Sequence, residues 1–99
     1  MTDMKSIITK AWDIKETIKF MRQLPIGIEF SAWDLVDVFI EDNGGDKDAT
    51  VNGEWYSLWN NMGAGFSWCV NSGEFSLRKN NEGLALFTRI KESSGCLPR

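Results

Sequence analysis

The sequence predicts a mixed α+β domain, and three observations carry that expectation. Apolar residues recur at helical spacing over three stretches; one short β-type segment stands between the first two; two alternating segments joined by turn residues close the chain. The 99 residues, 42% hydrophobic and 25% charged, suit one hydrophobic core with little left for a second. Residues 1–91 are expected to form that single domain, and residues 92–99 a polar C-terminal tail.

The first stretch is open between two states. Met4, Ile7, Ile8 and Ala11 have helical spacing, while Ser6-Ile7-Ile8-Thr9 also reads as a short strand. The next segment is plainer. Asp13 and Glu16 have capping-box spacing, and Ile14, Ile18 and Met21 then fall on one helix face. Pro25 disfavours helical geometry in the residue before it, so this helix stops by Leu24. Ile28-Glu29-Phe30 has room for one strand. Ser31 reads as the N-cap of a second helix, which Asn43-Gly44-Gly45 ends.

Residues 46–53 read as a loop, and a third helix begins near Glu54. Trp55, Leu58, Trp59, Met62, Phe66, Cys69 and Val70 form its apolar stripe, with Gly63 and Gly65 allowing close helix packing. Asn71-Ser72-Gly73 is a stop signal. Phe75 and Leu77 alternate with polar neighbours, as do Leu84, Leu86, Thr88 and Ile90 with theirs, around the turn Asn80-Asn81-Glu82-Gly83. The expected core is Ile14, Ile18, Met21, Phe30, Leu35, Phe39, Leu58, Trp59, Met62, Phe66, Val70, Phe75, Leu77, Leu84, Leu86 and Ile90. Three main helices, a short strand and a C-terminal β-hairpin wing make a winged-helix-like order.

Composition excludes several chemistries. The chain has no histidine, which removes the usual general base near neutral pH and the commonest metal ligand. Two widely spaced cysteines, Cys69 and Cys96, do not make a structural zinc site and read as free thiols rather than a bridge. Gly63-Ala64-Gly65 lacks the Lys-Ser/Thr that follows in a phosphate-binding loop. The acidic loop from Asp42 places Lys47 where a calcium-binding loop needs glycine and Gly53 where it needs glutamate. No catalytic residue, metal or cofactor is therefore expected. Neither a membrane-spanning run nor a secretory leader is apparent, so the expected location is the cytoplasm.

Between Leu24 and Glu74 the sequence resembles a family of small winged-helix-like domains of phage and bacterial origin. The pattern is Leu-Pro-x-Gly-x-x-Phe, Asp-Leu, Trp, Gly-x-x-Phe and Val-x-x-Gly. Leu24, Pro25, Gly27, Phe30, Asp34, Leu35, Trp59 (or Trp55), Gly63, Phe66, Val70 and Gly73 carry it here. These motifs are structural. The resemblance implies a fold and a phage-type origin, and no activity.

Charge supplies the functional expectation. The net charge is −3, but residues 29–54 hold eight acids against Lys47 alone, while the segments on either side are each net basic. Asp34, Asp37, Glu41, Asp42, Asp46 and Asp48 are the candidate acidic surface for a host or phage protein with a basic surface, as a regulator or inhibitor that mimics DNA charge. The competing reading is a merely solvated face. The alternative function is direct binding of double-stranded DNA through the first helix and the wing, using Lys15, Lys19, Arg22, Arg78, Lys79 and Asn80. Against it, no Lys or Arg occurs from Gly53 to Ser76. A homodimer built on Trp33 and Tyr56, which lie beside the apolar stripes, is a third possibility.

Overall fold

Local signals set each element, and a computed structural model describes them over residues 3–93. Asp3 caps α1 (Met4–Trp12) by accepting the Lys5 N–H. Asp13 then serves two helices. Its backbone N–H closes α1 on the Lys10 carbonyl, and its carboxylate accepts the Lys15 N–H at 3.0 Å to open α2 (Ile14–Met21). The open first stretch is thus a separate helix, so the described residues hold four α-helices where the sequence predicts three main ones.

After Pro25 the chain runs into β1 (Glu29–Ser31), and Ser31 caps α3 (Ala32–Asp42), its Oγ accepting the Asp34 N–H at 3.0 Å. Replacing this cap with alanine (Ser31→Ala) orphans that N–H. The expected loss is about 1 kcal/mol, read as a fall of roughly 4–8 °C in thermal midpoint; an unchanged midpoint would show the cap to be idle. Gly44, at φ +83°, turns the chain out of α3. A short 3-10 turn (Lys47–Ala49) follows in the stretch read as loop.

The long helix α4 (Asn52–Asn71) starts two residues ahead of Glu54 because that side chain reaches back, Oε2 accepting the Val51 N–H at 3.2 Å. β2 (Phe75–Lys79) and β3 (Ala85–Arg89) form the hairpin, whose turn is braced by Asn80 Oδ1 accepting the N–H groups of Glu82 and Leu84. The three strands are antiparallel in the order β1-β3-β2, with Phe30 opposite Phe87 and Leu77 opposite Phe87. Element order and strand order are consistent with a winged-helix-like α+β fold.

Helix α4 is the spine, packed against α1, α2, α3 and β2. The molecule measures 35 × 33 × 19 Å. The short dimension admits about two layers at roughly 10 Å each, so every element keeps one face in solvent. Most of the predicted core is found in or against the buried cluster, joined by Ile7, Ala11, Phe20, Leu24, Ala32, Val36, Ile40, Cys69 and Phe87.

The second hairpin strand is the correction. Phe87 faces the core, while Leu84 and Leu86 are only half-buried and Ile90 is exposed. Leu84, Ala85, Leu86 and Phe87 are all apolar, so alternation does not fix which face turns inward. Pairing of Phe87 with Phe30 does. Leu77 shares that inner face but is exposed, because it lines an open hollow between the hairpin and α4, opposite Gly63, where no side chain covers it. No helix among the described residues is long and apolar enough to cross a membrane.

Candidate functional site

The outward face of α3 holds the main part of the expected acidic surface. Ala32, Leu35, Val36, Phe39 and Ile40 are buried. At about 100° per residue, the opposite side of that wheel is occupied by Asp34, Asp37 and Glu41, which fall within about 60° of one another. Asp34 is exposed in the first turn of the helix, where a carboxylate complements the helix dipole. Glu41 is paired with Lys47 at 3.5 Å, both side chains solvated.

Asp42 turns to the other flank of α3, towards α2. It lines a hollow there with Glu16, Lys19, Gln23 and Asn43. Asp46 caps the 3-10 turn by accepting the Asp48 N–H at 2.9 Å, and Asp48 is exposed beside it. The six acids therefore make a ridge of three with outliers. Among the described residues no three carboxylates or cysteines gather closely enough to hold a metal ion.

An aromatic cluster adjoins the ridge. Trp33 precedes Asp37 by one helical turn and is 57% exposed; Tyr56, on the first turns of α4, is 56% exposed. Trp55 lies between them, its ring at 72° to Trp33 and 89° to Tyr56, with centroids 5.6 and 5.4 Å away. Its indole N–H donates to Asp37 Oδ1 at 3.3 Å, which ties the cluster to the ridge. Behind it Trp59 stacks at 16° and 6.2 Å. The sequence marks Trp33 and Tyr56 as candidates for exposure, whereas Trp55 reads there only as part of the α4 stripe.

The basic candidates are divided among other tasks. Arg22, just past α2, donates from Nε and Nη2 to the two carboxylate oxygens of Glu74 at 3.0 and 2.9 Å. Its guanidinium also lies 5.3 Å from the centre of the Trp68 ring. Arg78 is on the outer face of the sheet and donates to both oxygens of Glu29 at 2.6 and 2.8 Å, reaching across the central strand. The Arg78 hydrogen bonds hold the Glu29 carboxyl below its ordinary value and raise the pKa of the guanidinium in return.

Asn80 spends its side-chain oxygen on the hairpin turn. Lys15, Lys19 and Lys79 are exposed, Lys19 at 3.8 Å from Glu16. The solvent side of α4 offers Tyr56, Ser57, Asn60, Ala64, Ser67 and Asn71, with no cation among them.

Sequence reasoning misses Glu74. It stands next to the hairpin as a polar residue in an alternating pattern, yet it is fully buried. Its partner is 52 positions away, and no local spacing signals such a pair. Cys69 is close by as a free, buried thiol; burial pushes it up to about 12, with the Glu74 charge adding to the effect and Arg22 opposing it. Cys96 lies outside the described residues, as do residues 94–99 of the expected tail.

Fold and surface together define a small α+β domain with an acidic face bordered by exposed aromatic rings. Comparison with known proteins gives no matching family model, no similar curated protein and no similar solved structure.

Proposed function

We propose that this chain is a non-enzymatic binding domain that engages a protein with a basic surface through the outer face of α3 and the start of α4. One observation carries the reading: Asp34, Asp37 and Glu41 share the solvent side of α3 with Trp33, and Trp55 bonds Asp37 from the neighbouring helix. Carboxylates steer a basic partner and set its register, while rings supply the contact area that charge alone does not. A partner whose own basic surface handles nucleic acid fits this charge pattern, which makes a regulator or inhibitor that mimics DNA charge the specific form of the proposal. A phage-type origin belongs to the same proposal and rests on the sequence resemblance alone.

Direct binding of double-stranded DNA is less favoured. Such binding rests on cations released to phosphates, and Arg22 and Arg78 are each held by a carboxylate within the domain. No Lys or Arg on α4 replaces them.

The test is capture of partners from a lysate, with and without nuclease, by the native chain and by a variant carrying Asp34→Lys, Asp37→Lys and Glu41→Lys. The expected result is a protein retained after nuclease, lost from the triple variant, and weakened by salt. Retention by the triple variant would remove the acidic face from the interface. Recovery that disappears with nuclease would return the DNA reading.

A further inference from the structure

We infer that the pocket between Trp33, Asn52, Trp55 and Tyr56 is a binding site for a cationic side chain, specifically the guanidinium of an arginine supplied by the partner. The inference rests on the preceding reading that this face meets a basic protein, and adds the anchor residue.

The four residues line a hollow of about 210 Å³ that opens to solvent. Its walls are aromatic and steep, with Trp33 and Tyr56 each turned strongly against Trp55. The central ring is fixed in advance, by the hydrogen bond to Asp37 on one side and the stacked Trp59 on the other. Fixed rings lose little freedom when a ligand arrives.

Electrostatics decide the sign of the ligand. Two helix N-termini, those of α3 and α4, open near this hollow, and each carries roughly half a positive charge. Asp34 sits in the first turn of α3 next to Trp33, and Asp37 Oδ1 accepts the indole N–H of Trp55; Glu54 turns to the other side of α4 and back to the Val51 N–H. Two carboxylates, Asp34 and Asp37, outweigh about one unit of dipole charge, so the site favours a cation. Aromatic faces attract cations through the ring quadrupole.

Ring chemistry selects among cations. A guanidinium is flat, weakly hydrated and stacks on an indole while its N–H groups still reach a carboxylate; an ammonium is compact and strongly hydrated. Asp37 and the Asn52 side chain supply acceptors at the edge of the rings.

The experiment titrates the full chain, by calorimetry at low salt, with a blocked pentapeptide containing two arginines and with its two-lysine counterpart of equal charge. The arginine peptide is expected to bind about fivefold or more tightly. Trp33→Ala and Tyr56→Ala should each bring it down to the level of the lysine peptide, and Trp33→Phe should keep most of the preference. Both positions are more than half exposed, and circular dichroism of the variants checks that they fold.

Equal affinity for the two peptides overturns the inference. So does an arginine preference that survives loss of both rings. The two readings fail separately: equal binding that falls on reversing Asp34 and Glu41 sinks the pocket and keeps the acidic face. An arginine preference in a chain that captures no basic protein keeps the pocket and sinks the broader proposal.

Discussion

Arg22→Ala is expected to destabilise the domain by about 3–5 kcal/mol, the range for removing one partner of a buried ion pair. At roughly 4–8 °C per kcal/mol for a domain of this size, the thermal midpoint falls by at least about 12 °C. A domain with about 5 kcal/mol in total, the low end of the usual range, is then close to unfolding at ambient temperature. The cause lies with the residue left behind. Glu74 has no exposed side-chain surface, and without Arg22 it must keep a charge in the protein interior or take up a proton there.

The complementary change is expected to cost less. In Glu74→Ala the surviving Arg22 is 13% exposed, has a long stem, and keeps the Trp68 ring beneath it, so its charge can turn towards water. Urea unfolding of both single variants checks this order. The double variant Arg22→Met with Glu74→Leu removes both charges and should recover most of the loss, because well-packed apolar replacements of a buried pair are often neutral or better. If Glu74→Ala proves the more damaging single change, the exposure argument is wrong.

That pair also marks the limit of what the sequence discloses. Signals confined to one turn of chain are legible: Ser31 as a cap, Pro25 and Gly44 as stops, Asn80 as a turn residue, and the apolar stripe of α4. Each depends on neighbours within about four residues. The pairing of Arg22 is not legible, for the opposite reason. Beside Lys15 and Lys19 the residue completes a basic stripe at i, i+4 and i+7, and only the fold brings Glu74 to it. The inward face of β3 is likewise set by Phe30, far along the chain, because its own apolar run does not alternate. The acidic ridge is legible as a helix wheel, which places Asp34, Asp37 and Glu41 together. Its link to Trp55 needs the packing of α3 on α4, and so does the pocket.

Two glycines on α4 should answer the same substitution with opposite signs. Helix propensity alone favours alanine over glycine by about 0.8–1.0 kcal/mol at an interior position. At Gly63 nothing lies within 4 Å of where a Cβ would stand. Gly63→Ala therefore gains that propensity unopposed and should raise the thermal midpoint by several degrees. At Gly65 the same Cβ would meet Thr17 Cγ2 at 2.5 Å and Thr17 Cβ at 2.6 Å, far inside van der Waals contact. Thr17 is fully buried on α2, and its branched side chain has no other rotamer that removes the Cβ clash. The helices must separate, at a cost of about 1–3 kcal/mol for an overpacked core. That exceeds the propensity gain over most of its range, so Gly65→Ala should be a net loss, and Gly65→Val a larger one. Thr17→Gly in the Gly65→Ala background removes the colliding atoms and should recover packing, although it adds a glycine inside α2. The measurement is a urea denaturation series on the three single variants and this double variant. If Gly63→Ala and Gly65→Ala shift the midpoint in the same direction by similar amounts, α2 and α4 are not in the close contact that Gly65 permits.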